Sequence, residues 1–166
     1  TAANLTVVGL TRGAGILTAN SGAARGWGGN NSIDATAATA INGSRVVTFS
    51  AVVQPGFKVS YSGIPRFDYR RSATGPTSGL LQYQLNAGAF TDIATVAYTS
   101  VTNIGASLAP IDFSTISALQ NVGAGTNVTF RLVNWGGTSS AGTWYLFDTA
   151  TNTALDFVVQ GSVTST

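Results

Sequence analysis

The 166-residue chain contains no cysteine, no histidine, no methionine and no glutamate, and lysine occurs once. Without cysteine and histidine, Ser-His-Asp and Cys-His nucleophiles cannot be assembled, and zinc and copper sites lose their usual ligands. The whole acid supply is six aspartates, and no GxxxxGK[ST] phosphate-binding pattern is present. The sequence therefore predicts a protein that is not an enzyme.

Charged residues are also scarce, at 8% of the chain with a formal net charge of +2, against about 25% in ordinary soluble domains. A surface dressed in threonine, serine and asparagine exerts little electrostatic repulsion between copies of the protein. A nucleic-acid binder would need a basic stripe that displaces several counterions. We therefore expect copies of the chain itself, rather than nucleic acid, as partners.

The chain begins TAANLTVV, without a basic or apolar leader, and no apolar run approaches the 18 residues of a membrane span. We expect a mature protein whose signal peptide has been removed, secreted or at the cell surface, with no membrane insertion. Its length predicts a single domain over residues 1–166.

Short segments of alternating apolar and polar residues, separated by glycine, proline and asparagine turns, predict β-strands along most of the chain. The clearest are residues 45–53 and 127–135, and residues 80–86 pair with 89–98 in a hairpin. We predict an all-β fold, a two-sheet antiparallel sandwich of the jelly-roll type with about nine or ten strands.

One short connecting helix is predicted after Asp112 or Ser114, which resemble N-caps, with Gly123 as the stop. Residues 35–40 could start a helix, but their β-branched and glycine neighbours favour a loop. Residues 11–29, rich in glycine, also read as a loop.

The segment 57–76 holds half of the basic residues. Alternation places Phe67 on a core face and Arg66, Asp68 and Arg70 on an opposite face that is solvated or meets a partner. We expect Asp68 to form an ion pair across this face and its pKa to be lowered by the arginines.

Two functions remain open. In the first, the protein is a carbohydrate-binding module in which aromatic rings stack on sugars and polar groups bond the hydroxyls. Trp144 and Tyr145 alternate along one strand, so one of them is expected in the core and the other exposed. The candidate ligand-binding residues are Trp27, Trp135, Tyr145, Arg66, Arg70 and Arg71.

In the second, slightly favoured function, the protein is a structural subunit that self-associates in an extracellular filament, sheath or biofilm matrix. Sheet edges with few charges are poorly protected against pairing with another chain, and a terminal segment could add as a strand to a neighbour. The candidate self-association residues are Asn4, Leu5, Val7, Phe157 and Val159.

No cofactor is required by the sequence. A calcium ion needs only oxygen ligands, which Asp148 with Asn152, or Asp156 with backbone carbonyls, could supply. No EF-hand spacing is present, and capped turns explain the same residues.

The segments LTRGAGI, GWGGN, YSGIPRFDYRRSATGP, FRLVNWGGTSSAGTWYLFD and FVVQGSV occur in this order and span most of the chain. Together they resemble the β-jelly-roll modules of exported bacterial proteins of the PEP-CTERM-sorted kind, most sharply in RRSATGP at residues 70–76. The sorting tail of that family is not in this sequence, and its removal during export would explain this. The resemblance implies secretion and association with extracellular polysaccharide, and no catalytic residues.

Overall fold

A computed structural model describes residues 2–19, 21–149 and 155–166 of the chain. Over these residues the backbone forms thirteen strands, one α-helix, α1, at Ala37–Asn42, and one 3₁₀ helix at Ser117–Leu119. The strands are β1 Leu5–Arg12, β2 Gly26–Asn30, β3 Val46–Val53, β4 Phe57–Ile64, β5 Asp68–Arg71, β6 Ser78–Leu85, β7 Thr91–Ala97, β8 Ala106–Ser107, β9 Ile111–Asp112, β10 Val122–Gly123, β11 Asn127–Trp135, β12 Thr143–Phe147 and β13 Gln160–Ser165.

All strand pairs described are antiparallel and form three sheets. Sheet A has the order β1-β3-β11-β6-β7, sheet B the order β2-β12-β5-β8, and sheet C the order β10-β4-β13, with β9 also paired to β4. The predicted all-β antiparallel sandwich is confirmed. The strands are more numerous than nine or ten, however, because β8, β9 and β10 are two-residue strands at the margins of sheets B and C. They make three hydrogen-bonded sheets rather than two, because no described strand pair joins sheet B to sheet C.

One hydrophobic core joins the three sheets. Alternation along β3 and β11 turns their apolar side chains inward, and Phe130 of β11 lies at the centre with 2% of its surface exposed. Its ring stacks on Phe49 and Phe113, with centroids 5.2 and 5.8 Å away. Each such buried ring contributes about 1.5–3 kcal/mol of hydrophobic stabilisation, so the position of Phe130 helps to hold sheet A to the layer opposite.

The described residues contain one α-helix, but it lies at a different place from the predicted helix. Residues expected to be a loop form α1, because Thr36 and Thr39 make a reciprocal capping box at its N-terminus. The helix packs Ala40 against Leu80 and Val133 on the outer face of sheet A. A satisfied N-terminus and this apolar contact outweigh the weak helix propensity of its neighbours.

The segment predicted as the helix instead forms only the 3₁₀ turn. The Asp112 carboxylate accepts from the Ser114 backbone at 2.8 Å in a local turn, and the Gln120 side chain donates to the Tyr61 carbonyl of β4 at 3.0 Å. Val122 then pairs with Val59 in the ladder of β4. These bonds to β4 compete with helix formation.

Two loop boundaries also differ from the predictions. Residues expected to be one long loop at 11–29 include the end of β1 and the first four residues of β2. The sequence pattern also predicts a last strand over residues 154–163, whereas β13 covers Gln160–Ser165, and residue 154 lies outside the described part of the chain.

Candidate functional site

The predicted arginine face of residues 57–76 is occupied largely by contacts within the chain. Arg66 Nε donates to Asp68 Oδ2 at 2.7 Å. Ser107 Oγ and Thr149 Oγ1 donate to the same carboxylate at 2.5 and 2.7 Å. The predicted ion pair is confirmed, but Asp68 is fully buried, so the expectation of a solvated or partner-facing side chain is wrong for this residue.

We call these four residues, with Asp156 at 3.5 Å from Arg66, the Asp68 network. Burial by itself raises the pKa of Asp68, but hydrogen bonds from its three partners outweigh burial and lower that pKa below its ordinary value of 3.8, as predicted. For Asp156, burial and the nearby charge of Asp148 raise the pKa. An ionised carboxylate whose oxygens accept hydrogen bonds from donors within the fold is typical of a structural ion pair.

Arg70 and Arg71 also bond within the chain. Arg70 donates to Asn103 Oδ1 at 3.0 Å, and its Cζ lies 5.3 Å from the ring centroid of Phe147. Arg71 Nε donates to the Tyr98 carbonyl at 2.7 Å, and its Nη1 donates to three carbonyls of the loop that follows. Arg71 therefore holds the RRSATGP loop against the β7 end of the molecule.

The aromatic candidates for sugar stacking are not presented as open platforms. Trp27 is partly buried, and the Arg12 guanidinium lies over its ring, with Cζ 4.1 Å from the ring centroid. Trp135 is partly buried against the cluster of Ala40, Leu80 and Val133. Trp144 and Tyr145 are 3% and 5% exposed. The prediction that one of this last pair is exposed is wrong, because both faces of β12 are covered.

The predicted calcium ligands Asp148 and Asn152 are not both among the described residues. Asn152 lies outside the described residues, and Asp148 lies 3.8 Å from the Arg25 guanidinium. In the described ranges, no group of three acidic side chains is arranged to hold a metal ion.

The predicted self-association residues do come together. Leu5 and Val7 of β1 and Phe157 and Val159 of the segment before β13 line one apolar cleft between the edges of sheets A and C. Asn4 lies beside it, just before β1, with a positive φ of 68°. Residues about 150 positions apart in sequence thus form one surface.

We call this cavity the edge cleft. It has a volume of about 360 Å³, and none of the described residues that line it has a charged side chain. Its residues are Ala2, Leu5, Val7, Val8, Gly9, Leu10, Phe49, Ser50, Ala51, Val59, Tyr61, Phe130, Phe157, Val158, Val159, Gly161 and Val163.

Aromatic rings form much of the wall of the edge cleft. Phe157 contacts Phe49 edge-to-face at 5.5 Å, and Tyr61 contacts Phe130 in the same way at 5.4 Å. The Tyr61 hydroxyl is shielded from solvent and has no hydrogen-bond partner among the described residues. Burial raises the pKa of Tyr61 to about 12, so the hydroxyl is protonated at neutral pH and available as a donor.

Strand β1 is one edge of sheet A and pairs only with β3 in the described residues. The Asn4 carbonyl accepts from the Gln54 backbone at 3.0 Å, which sets the alternation along the strand. The N–H and C=O groups of Thr6 and Val8, two and four positions after Asn4, also face β3. The N–H and C=O groups of Leu5 and Val7 face away from it. These groups are a free template for another strand.

The exposed side chains of this edge are apolar. Val7 and Val8 are 45% and 58% exposed, and no charge lies between residues 2 and 11. A β-bulge between Val8 and Thr11 interrupts the pairing with β3, and bulges of this kind limit edge-to-edge association. The open template therefore lies mainly before the bulge.

The self-association residues predicted from the sequence do not include Phe49, Ala51 and Tyr61, which form the inner wall of the edge cleft. Alternation did place Phe49 and Ala51 on the core face of β3. Nothing in the pattern indicates where the core opens, because that depends on the separation of β1 from β13 across two sheets.

Fold and cleft together define the chain as an antiparallel β-sandwich with an apolar opening at one sheet edge. Comparison with protein-family models, with curated proteins and with solved structures finds no match. Within the described residues, no helix has the combination of length and apolar character needed to cross a bilayer.

Proposed function

We propose that the protein is a non-enzymatic, secreted structural subunit that self-associates into an extracellular filament, sheath or biofilm matrix. The observation that carries this proposal is the free, uncharged edge of β1 at Leu5 and Val7. Both terminal strands are already paired within the chain, β1 with β3 and β13 with β4. They therefore offer edges to a neighbour instead of donating loose segments.

We propose that β1 of one copy pairs with β7 of the next, so that sheet A continues from molecule to molecule. These strands are the two edges of sheet A. Two different edges make a heterologous contact that does not close on itself, and such contacts generate open filaments.

The free side of β7 follows from its hydrogen bonds. The Tyr98 backbone donates to the Thr77 carbonyl at 2.8 Å, so Tyr98 and the alternate residue Val96 face the interior of the sheet. Thr95, which lies between β7 residues that face β6, points its N–H and C=O groups outward. Thr95 is the counterpart on β7 of Val7 on β1.

Low charge supports the same proposal. The outward segment of β1 has no charged residue, and Asp92 is the one charged residue of β7. Copies therefore meet without strong repulsion, and the lysines that usually protect sheet edges are missing there.

The location is proposed on the resemblance to exported bacterial jelly-roll modules and on the composition. An extracellular material benefits from a chain without cysteine or methionine, since oxidation of these side chains is excluded. Association with polysaccharide belongs to the same proposal.

The test uses proline to remove one outward N–H from each edge. Val7→Pro blocks β1 and Thr95→Pro blocks β7, and neither removes a bond to β3 or β6, since proline is accepted where the N–H faces away from the sheet. Val7→Ala and Thr95→Ala are the matched controls, because they shorten the side chain and keep the N–H. Light scattering and negative-stain imaging measure the assembly of each purified protein.

We expect ordered polymers from the unmodified chain and from both alanine variants, and monomers from each proline variant. An equal mixture of the two proline variants should give a species of twice the 16.9 kDa of one chain, since each retains the edge that the other lacks. An unmodified chain that stays monomeric at every concentration would contradict the proposed function. Polymers from Val7→Pro would contradict only the proposal that the β1 edge forms the contact, and not self-association itself.

A carbohydrate-binding module is the alternative proposal. It has less support, because Tyr145 is buried and Trp27 is covered by Arg12. A glycan array with the unmodified protein tests it, and saturable binding that Trp135→Ala abolishes would favour it.

A further inference from the structure

The edge cleft combines a size and a chemistry that suit a small molecule. Its volume of about 360 Å³ is within the roughly 300–1,000 Å³ of ordinary ligand sites, which are mostly apolar with few polar groups. Aliphatic and aromatic side chains from both ends of the chain form its walls, with no charged group among them.

Tyr61 adds a polar group that the fold does not use. Only 5% of the residue is exposed, and its hydroxyl has no partner in the part of the chain that the structure describes. A buried hydroxyl without a hydrogen bond is unfavourable, and natural proteins rarely keep one. An oxygen atom supplied by a bound molecule would remove this cost.

We propose that the edge cleft binds a neutral amphiphile with one aliphatic chain and a hydroxyl or ester oxygen, the chain lying between Val7 and Val159 and the oxygen accepting the Tyr61 O–H.

The charge of a ligand's headgroup determines whether the edge cleft can bind it. An anionic headgroup, such as a carboxylate, would enter a cleft in which the described residues offer no cation to pair with it, and burying an unpaired charge is strongly unfavourable. A neutral oxygen needs only one donor, which the protonated Tyr61 supplies. The site thus favours an alcohol or ester over a free fatty acid.

The cleft is accessible from the edge of the sandwich. Val7 is half exposed at its mouth, and Phe157 and Val159 are only partly buried. Because the Tyr61 hydroxyl is shielded, we expect an entering chain to displace one of these edge side chains as it binds. This proposal does not rest on self-association.

The first measurement is isothermal titration of the unmodified full-length chain with 1-octanol, 1-hexanol and octanoate. We expect one saturable site per chain for 1-octanol. Each added methylene should raise the affinity by about fourfold, so 1-hexanol should bind more weakly. Octanoate should bind about tenfold or more weakly than 1-octanol, because its charge has no partner.

Two variants locate the site. Ala51→Phe places a ring inside the cleft, where Ala51 is 9% exposed, and should abolish binding of 1-octanol. Tyr61→Phe keeps the shape and removes the hydroxyl, so it should weaken 1-octanol binding by roughly threefold to tenfold. If Ala51→Phe does not fold, Val159→Trp fills the cleft from its rim.

Several results would overturn the proposal. The proposal fails if neither alcohol shows saturable binding, if octanoate binds as tightly as 1-octanol, or if a folded cleft-filling variant binds 1-octanol as the unmodified chain does. Unchanged affinity in Tyr61→Phe would also overturn it, since the oxygen contact would not exist. The Thr95→Pro variant leaves β1 and the cleft unchanged and is expected to stay monomeric, so titrating it measures binding without assembly, and this outcome and the assembly test fail independently.

Discussion

The Asp68 network and the edge cleft adjoin each other, joined by the consecutive residues Asp156 and Phe157, but they treat buried polar groups in opposite ways. In the network, the carboxylate of Asp68 receives donors from three side chains. In the cleft, the Tyr61 hydroxyl has none among the described residues. A saturated polar cluster stabilises one conformation, whereas an unused donor beside an apolar opening indicates a surface that can take a partner.

The largest effect is expected from breaking the network. Asp68→Asn leaves the shape but removes the charge that Arg66 and the two hydroxyls bind, so the free energy of unfolding should fall by about 3 kcal/mol. Urea denaturation followed by circular dichroism measures it. Asp92→Asn, at an exposed carboxylate, is the matched control and should change stability by less than about 1 kcal/mol. Equal losses in the two variants would contradict the comparison.

The two buried tyrosines, Tyr98 and Tyr61, give a second test of the difference between a hydrogen-bonded and an unbonded buried group. The Tyr98 hydroxyl donates to Asn134 Oδ1 at 2.8 Å, and both residues are buried. Tyr98→Phe should cost about 2 kcal/mol, because it leaves the Asn134 oxygen without its donor. Tyr61→Phe should cost nearly nothing or stabilise the fold, because no bond is lost. Thermal unfolding of the two variants decides this, and a larger loss in Tyr61→Phe would show that its hydroxyl has a partner.

The pH dependence of stability separates the two carboxylates of the network. Asp68 has a lowered pKa, so its contribution is present above the ordinary value of 3.8 and is lost as the pH falls through the folded value. Asp156 has a raised pKa, so stability falls as the pH rises from 3.8 through its folded value. The free energy of unfolding should therefore rise slightly on mild acidification and then drop.

Denaturation at a series of pH values tests this profile. Asp156→Asn should flatten the branch above pH 3.8, and Asp68→Asn the branch below it. A profile that Asp156→Asn leaves unchanged would contradict the assignment of the upper branch.

The smallest effect on stability is expected at the open edge. Val7→Pro removes no bond to β3, so the free energy of unfolding should change by no more than about 1 kcal/mol, while Thr6→Pro removes a bond to β3 and should cost about 3 kcal/mol. Urea denaturation of monomeric samples measures both. Equal destabilisation would mean that the Val7 N–H does not face outward.

Local patterns predicted much of sheet A. Residues 127–135 alternate so regularly that the predicted strand and β11 have the same bounds, and the Asn86 turn predicted the β6–β7 hairpin. The two helix predictions were wrong because competing interactions are of similar size there. A threonine capping box decided α1, and bonds from Gln120 to β4 decided against the second helix.

The candidate site was predictable only in part. The apolar terminal segments identified Leu5, Val7, Phe157 and Val159 as candidates for a self-association surface, because uncharged β-branched segments can be recognised directly in the sequence. Their meeting in one cleft was not predictable, since it depends on the spacing of β1 and β13 in different sheets.

The sequence by itself determined the all-β class, the alternation that builds the core and the shortage of charge, since these depend on residue type and period. Only the tertiary structure decided that Asp68 is buried, that Tyr145 is covered and that the Tyr61 hydroxyl, beside the edge cleft, has no hydrogen-bond partner among the residues that the structure describes. Burial and hydrogen bonding in these cases come from residues dozens of positions away, and a period-2 pattern cannot tell which of its two faces a distant segment will cover.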